Sequence, residues 1–123
     1  MKQCSNICFG VALLAAAASA FGAGDAVRGK SLYETRCTAC HSIEYNGVGP
    51  AHKEVFGRKA GSVRDYEYSL ALKSADILWT EKTLGQWLAN PEKLSPGQKM
   101  GYSVPNAKDR ADLIAYLRKE SGK

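Results

Sequence analysis

The chain has 123 residues and a formal net charge of +5, with 17 Lys and Arg against 12 Asp and Glu. This length suits one small domain with a thin core and excludes a large multidomain architecture. The charge is mildly basic and lacks the dense Lys/Arg clusters of nucleic-acid-binding proteins, so we expect no nucleic-acid partner.

The N-terminal segment has the pattern of a secretory signal peptide. Lys2 supplies a positive charge, an apolar, alanine-rich run covers residues 7–18, and a small-residue cleavage motif follows. We predict that residues 1–23 are a cleaved signal, cut after Ala20 or Ala23, and that residues 24–123 form a single domain in the bacterial periplasm. Because the apolar run is short for a membrane span, we expect no span after cleavage. Retention of the segment as an N-terminal anchor is the alternative.

Four helical segments and no strand are predicted in the rest of the chain. The first follows Asp25, a typical N-cap residue. Its stripe at helical spacing comprises Ala26, Gly29, Tyr33 and Cys37. Gly29 costs a helix about 1 kcal/mol relative to alanine, which indicates that it serves close packing. A glycine-punctuated loop is predicted over residues 42–67.

Three more helices complete the predicted all-α class. A short one covers residues 70–73 after Ser69, and another begins after Thr80 and ends at Pro91. Residues 91–105 are predicted to be irregular, because they hold three prolines and two glycines. The last helix follows Asn106, which resembles the start of a capping box with an acidic residue three positions later.

Cys37-Thr38-Ala39-Cys40-His41 is the attachment signature of c-type haem. Cysteines three positions apart lie on one face of a helical turn, where both thiols can form thioethers with one haem. The histidine directly after the second cysteine is then placed to offer an imidazole nitrogen to the iron. The motif therefore predicts one covalent haem c with His41 as the proximal ligand.

The two cysteines have other interpretations. A C-x-x-C pair serves thiol–disulfide exchange in thioredoxin-like folds, but no strand–helix–strand pattern surrounds Cys37 and Cys40. A structural zinc site needs four ligands, and His52 lies in a different segment without a zinc-finger spacing. A thiol–disulfide protein without haem stays open as an alternative, which mass spectrometry would test because covalent haem adds a fixed mass.

Met100 is the predicted second axial ligand. It is the only methionine besides Met1, and it lies in a loop rich in proline and glycine. Loops run over the surface, so a methionine there is an unusual choice for filling a core. A thioether is a soft, neutral ligand that suits haem iron and favours its reduced state. A packing role for Met100 is the alternative.

With these motifs the chain resembles the class I monohaem cytochromes c, close to the mitochondrial and soluble bacterial members. The resemblance covers residues 24–123 and is carried by the haem motif, by Gly49-Pro50, by Phe-Gly-Arg-Lys-Ala-Gly at 56–61 and by Pro-Gly-Gln-Lys-Met at 96–100. It implies a small all-α fold of about four helices and loops wrapped around one covalent haem. It also implies that the first helix crosses the last at Gly29.

The resemblance assigns roles to further residues of the haem site. The carbonyl of Pro50 would accept a hydrogen bond from the proximal histidine and fix its tautomer. Arg58 would lie near a haem propionate, and Tyr68 and Trp79 would hydrogen-bond the propionates. Trp87 stands where mitochondrial members have a tyrosine that reaches the methionine sulfur, and its indole N–H can still donate.

Other positions depart from the family pattern. His52 stands where the commonest pattern has a leucine near the haem, and we expect a hydrogen-bonded or exposed side chain rather than a ligand. Leu72 replaces an asparagine and Gln98 a threonine, both of which belong to an internal polar network in the family. None of these changes removes a ligand, but they leave the redox potential open.

The function that the resemblance implies is one-electron transfer rather than catalysis. His41 and Met100 would fill both axial positions in both redox states, so no substrate binds at the iron. A periplasmic monomer would meet electron-donor and electron-acceptor proteins transiently, such as a quinol–cytochrome c oxidoreductase or a terminal oxidase. The cations expected to rim the haem edge and attract acidic partners are Arg36, Lys93, Lys99 and Lys108.

Two alternatives retain the haem. In a peroxidase or gas-binding protein, Met100 would leave the iron easily and a small molecule would take its place. In a dedicated cytochrome subunit of a dehydrogenase or oxidase, the same site would serve one fixed partner, because fold and site do not by themselves name the partner.

Overall fold

A computed structural model describes residues 24–123 of the chain. Within this range it contains five helices, which are α1 (Ala26–Arg36), α2 (Leu70–Ser74), α3 (Glu81–Ala89), α4 (Pro91–Leu94) and α5 (Ala107–Glu120). No strand occurs in the described range, where a single isolated antiparallel bridge joins Lys59 and Leu78. The predicted all-α class is confirmed, whereas the predicted signal peptide lies outside the described residues.

α1 begins at the predicted cap and leads directly into the haem motif. The Asp25 carboxylate accepts the amide hydrogens of Val27 and Arg28 at 2.9 and 3.2 Å, which satisfies two donors that a helix start leaves unpaired. At the other end, the amide of Cys37 donates to the carbonyl of Tyr33 at 2.9 Å. The first cysteine of the motif is therefore fixed by the last turn of α1.

α1 crosses α5 at Gly29, as the resemblance implied. A β-carbon on Gly29 would lie 3.0 Å from the Cβ atom of Tyr116 and much closer to the backbone of Asp112. One turn later, the buried rings of Tyr33 and Tyr116 meet with centroids 5.3 Å apart. The missing side chain of Gly29 lets the two backbones approach, which explains a glycine inside a helix.

Charged side chains fasten the same crossing. Asp112 is 1% exposed and accepts hydrogen bonds from the Asp25 amide at 2.7 Å, from Lys108 Nζ at 2.7 Å and from Arg28. Arg28 also pairs with Asp109 at 2.6 Å. Burial alone would raise the pKa of Asp112, but the three donors lower it to about 2. The carboxylate is thus held ionised between the two helices.

The prediction of an irregular segment after α3 was wrong at its start. Pro91 does not only stop α3, because it is also the first residue of α4. Asn90 ends α3 and caps α4, and its side-chain oxygen accepts the Lys93 amide at 3.0 Å. Proline suits the first helical position, where its missing N–H would have no partner in any case. Residues 24–123 therefore hold five helices where four were predicted.

The predicted caps of α3 and α5 are confirmed with one change. Thr80 forms a reciprocal capping box with Thr83 at the start of α3. Asn106 caps α5 by accepting the Asp109 amide at 3.0 Å. The Asp109 carboxylate, predicted to complete a box with Asn106, pairs instead with Arg28 and with Arg36 at 3.2 Å. The guanidinium groups of α1 provide stronger partners than a single backbone amide.

The core lies between α1, α3, α5 and the long loop before α2. Its buried members are Tyr33, Val55, Ala60, Leu72, Trp79, Leu84, Trp87, Val104, Leu113, Ile114, Tyr116 and Leu117. The loop is tied to this core by main-chain bonds, since the Gly57 amide donates to the Trp79 carbonyl at 2.7 Å and the Trp79 amide to the Arg58 carbonyl at 2.9 Å. These bonds hold Arg58 and Trp79 side by side.

Candidate haem site

The haem motif forms a turn directly after α1. The carbonyl of Cys37 accepts the amides of Cys40 at 3.1 Å and of His41 at 2.8 Å. Cys37 is half-buried against the core and Cys40 is exposed. Burial raises the pKa of the Cys37 thiol to about 11, so this thiol is protonated at neutral pH.

His41 has a defined tautomer. Its Nδ1 lies 2.8 Å from the carbonyl oxygen of Pro50. Since a carbonyl can only accept, Nδ1 must carry the proton, and the lone pair of Nε2 is left for a metal. Burial also lowers the pKa of His41, against the opposing effect of the Pro50 hydrogen bond. The ring is therefore neutral, which is the form that binds metals.

Gly49 lies against the His41 ring. A β-carbon at Gly49 would fall 2.1 Å from Cε1 of His41 and 2.5 and 2.7 Å from the two ring nitrogens. The amide of Gly49 donates to the carbonyl of Cys40 at 2.8 Å, which folds the loop back onto the motif. Only a residue without a side chain fits between this backbone and the imidazole.

His52 covers the His41 ring from another side. The two rings stack with centroids 4.0 Å apart and an angle of 21° between their planes. His52 Nδ1 shares a hydrogen bond of 3.0 Å with the hydroxyl of Tyr33. Burial lowers the pKa of His52 well below its usual value, and His41 and Arg58 act in the same direction. The expectation of a hydrogen-bonded histidine is confirmed, but its contact with His41 was not predicted.

Arg58 is held by main-chain carbonyls. Its Nη1 donates to the carbonyl of Lys53 at 2.6 Å and its Nη2 to that of Ala51 at 3.0 Å. Burial lowers the pKa of Arg58. Its Nε is buried without a hydrogen-bond partner in the described part of the chain. This remaining donor suits an anionic oxygen, because a guanidinium has five N–H groups and no acceptor.

Tyr68, Trp79 and Trp87 belong to the core or pack against it. The Tyr68 hydroxyl accepts the Val63 amide at 3.2 Å, which leaves its own hydrogen to donate elsewhere. Trp79 is 6% and Trp87 8% exposed, and their rings lie 5.5 Å apart. Both tryptophans are thus core residues, and this packing role is independent of the hydrogen bonds that their indole N–H groups make.

Met100 follows α4 in the loop that leads to α5. Its side chain is half-buried and packs against the same core as Cys37, Tyr68 and the two tryptophans. The loop is tied back to α3, because the Val104 amide donates to the Leu88 carbonyl at 2.7 Å. Five of the predicted site residues therefore come from distant parts of the chain to one core, namely Cys37, Tyr68, Trp79, Trp87 and Met100.

The cations predicted to rim the haem edge have different partners in the structure. Arg36 and Lys108 belong to the α1–α5 ion pairs with Asp109 and Asp112. Lys99 donates to the carbonyl of Glu67 at 3.2 Å.

No helix in residues 24–123 is long and apolar enough to cross a membrane. The same range contains no cluster of three or more His, Cys, Asp or Glu side chains that could hold a metal ion.

Comparison with known proteins places this arrangement in a family. The family model for cytochrome c matches residues 26–121. The chain belongs to the cytochrome c family. It is 46% identical over 99 residues to a cytochrome c of Gibberella zeae, covering 77% of this chain and 93% of the other. It is 41% identical over 115 residues to cytochrome c2 of Rhodomicrobium vannielii, covering 90% and 91%.

A solved structure gives the same result. Cytochrome cH from Methylobacterium extorquens superposes on the chain with a TM-score of 0.75 and 44% identity, covering 78% of this chain and 99% of the other. The family carries one covalent haem c with iron and transfers electrons. This cytochrome is accordingly a haem-containing electron carrier and not an enzyme.

The described residues fit a haem on their own chemistry. His41 has one nitrogen available for a metal, the orphaned donor of Arg58 suits a carboxylate, and Cys37 and Cys40 are not joined to each other. The contacts of Gly49 and His52 with the His41 ring are what sequence reasoning missed. The signal for His52 was its polarity at a leucine position, because a buried polar group requires a partner.

Proposed function

We propose that Cys37 and Cys40 bind the haem as thioethers and that His41 and Met100 are its two axial ligands. The haem supplies an iron that takes up and releases one electron. The observation that carries the proposal is the hydrogen bond from His41 Nδ1 to the Pro50 carbonyl, which directs Nε2 towards a metal. With both axial positions filled, no substrate reaches the iron.

Met100 is supported by its surroundings. It is half-buried against the core that holds Trp79 and Trp87, so a ligand there is shielded from water. A neutral thioether in an apolar setting favours the reduced iron. Arg58, with its unpartnered Nε, together with Tyr68 and Trp79, would hold the haem propionates.

A haem-free thiol–disulfide protein is the weaker candidate. Exchange requires a thiolate, and the raised pKa of Cys37 keeps its thiol protonated at neutral pH. A buried, protonated cysteine is a poor nucleophile in thiol–disulfide exchange.

The cytochrome works in the bacterial periplasm as a monomer in this proposal. Support comes from the signal-like pattern of residues 1–23 and from the bacterial relatives named above. Its partners would be a quinol–cytochrome c oxidoreductase, a terminal oxidase or similar redox proteins, met in short-lived contacts. The mass of the purified protein tests the processing, because it should equal the mass of a chain that starts at Phe21 or Gly24 plus the mass of one haem.

The absorption spectrum tests the ligands. Protein matured with a haem-attachment system should be low-spin when oxidised and show the weak red iron–sulfur band. The Met100→Ala variant should lose that band, whereas Gly101→Ala in the same loop should keep it, since no protein atom other than those of its chain neighbours lies within 4 Å of a β-carbon there. A parent protein without the band, or one that binds carbon monoxide rapidly when reduced, would favour the gas-binding or peroxidase alternative.

A further inference from the structure

We propose that His52, held by Tyr33, is a positioning residue that fixes the rotation of the His41 imidazole. The inference rests on the proposed function, in which His41 is an iron ligand. It assigns a purpose to a histidine at a position where a leucine was expected. It also links the haem site to the α1–α5 crossing through side chains.

The His41 ring needs more than its hydrogen bond to stay in one orientation. An imidazole bound to a metal through Nε2 can still turn about that bond, and one soft bond from Nδ1 to Pro50 opposes the turn only weakly. Flat contacts on the ring oppose it directly. The His52 ring stacks on His41 at 4.0 Å and 21°, and the backbone of Gly49 lies against the same imidazole.

His52 itself cannot follow a movement of His41. Its amide donates to the carbonyl of Ser42 at 2.9 Å, and its carbonyl accepts the amide of Val55 at 3.0 Å. Its ring is bonded through Nδ1 to the hydroxyl of Tyr33 at 3.0 Å. Tyr33 is 3% exposed and lies at the start of the last turn of α1. His52, whose ring stacks on His41, is therefore held in place through both its backbone and its ring.

A leucine would fill the space without this restraint. It has no polar atom to pair with the Tyr33 hydroxyl and no flat face to stack on an imidazole. A buried hydroxyl that loses its partner is costly, so Tyr33 and His52 constrain each other. Tyr33 and His52 together therefore fix the orientation of a flat ring against His41, whereas a leucine would only fill the space.

The orientation of an axial imidazole plane decides how unpaired spin is shared around an oxidised low-spin haem. Partners that orient a metal-bound histidine tune the metal site in general. Proton NMR reads this distribution from the resonances of the haem methyl groups in the oxidised holoprotein. We would compare the parent with His52→Leu, His52→Phe, Tyr33→Phe and, as a matched control, Tyr116→Phe.

The variants separate the stack from the hydrogen bond. His52→Leu removes both, and it should change the order or spread of the haem methyl resonances most. His52→Phe keeps a ring and Tyr33→Phe keeps the histidine, so each should give a smaller change. Tyr116→Phe removes a hydroxyl from a ring 5.3 Å from Tyr33 without touching His52, and it should keep the parent pattern.

The outcomes distinguish this inference from the proposal on which it rests. If the parent lacks the red band, His41/Met100 ligation is wrong and the inference is lost with it. If the band is present in all variants but His52→Leu and Tyr33→Phe keep the parent methyl pattern, ligation holds and the positioning role is wrong. Should His52→Leu fail to mature, Tyr33→Phe alone decides. A purely structural role would lower the free energy of unfolding without moving the methyl pattern.

Discussion

The carbonyl oxygen of Asp112 in α5 lies 1.9 Å from the place where a β-carbon on Gly29 in α1 would stand. Two non-bonded heavy atoms cannot approach so closely, so a residue with a side chain fits at position 29 only if the two helices separate. The same Asp112 receives the Asp25 amide and two cationic side chains through its carboxylate. Backbone contact and ion pairing therefore converge on one residue of α5.

Gly29→Ala should destabilise the protein although alanine is the better helix former. The methyl group would clash with a backbone carbonyl, and overpacking of this kind costs about 1–3 kcal/mol. Gly85→Ala in α3 is the matched control, because the nearest atom to its β-carbon is Ile114 Cδ1 at 3.9 Å. Its free energy of unfolding should rise by up to about 1 kcal/mol. Guanidinium unfolding of both holoproteins measures this; equal changes of the same sign would contradict the packing argument.

Asp112→Asn should cost the fold about 1–2 kcal/mol, because it removes charge-assisted hydrogen bonds to Arg28 and Lys108, whose side chains are themselves partly exposed. Asp76 provides the control, since it is 99% exposed and pairs with Lys59 at 3.5 Å. Asp76→Asn should change the free energy of unfolding by no more than about 0.5 kcal/mol. Similar losses in the two variants would show that burial of Asp112 does not matter.

The acid side of the stability curve should also depend on Asp112. Its pKa is about 2 in the fold against 3.8 ordinarily. Above 3.8 the carboxylate is ionised in both folded and unfolded chains, and its full contribution is present. As the pH falls towards 2, the unfolded chain takes up the proton first and this contribution is lost. Unfolding curves across this range should be steeper in pH for the parent than for Asp112→Asn; equal slopes would contradict the low pKa.

Gly49→Ala should disturb the proximal side of the haem site. A β-carbon 2.1 Å from His41 Cε1 must push the ring away and break its bond to Pro50. We expect a loss of about 1–3 kcal/mol in the free energy of unfolding and an altered haem spectrum. Gly101→Ala, next to Met100, should leave both unchanged. A parent-like spectrum for Gly49→Ala would mean that the ring does not depend on this contact.

Electron transfer to an anionic oxidant should depend on salt because residues 24–123 hold 16 Lys and Arg against 12 Asp and Glu, a formal net charge of +4. Oxidation of the reduced protein by ferricyanide should slow by roughly tenfold between about 0.01 M and 0.15 M salt. Lys93→Gln should weaken this dependence more than Lys108→Gln, because Lys108 lies 2.7 Å from Asp112 and is already compensated. A rate that is flat in ionic strength would exclude electrostatic steering.

Local patterns predicted most of the helices. The caps at Asp25, Thr80 and Asn106 act within three or four residues, so their signals are complete in the sequence. α4 was not predicted, because a proline can either end one helix or begin the next. Which of the two occurs at Pro91 depends on whether Asn90 caps the following turn. Asp109 was assigned to a local box, although its partners lie on α1, about 80 residues away in the chain.

The haem site was predictable only where the motif is compact. The haem motif and Met100 carry chemistry that few other patterns carry. The contact between Tyr33 and His52 joins residues 19 positions apart and depends on how a loop folds over α1. The carbonyls that hold Arg58 are likewise invisible to a reading of side chains, because every residue has one.

The contact of α1 with α5 has a consequence for the order of events during synthesis. α1 immediately precedes the haem motif, yet the surface that covers it comes from the last helix of the chain. Until residues 107–120 have been made, Gly29 and Arg28 have no Asp112 to contact. Cys37 and Cys40 therefore follow a helix whose covering surface is the last of the described elements to be made. The crossing of α1 and α5 can form only after α5 has been made.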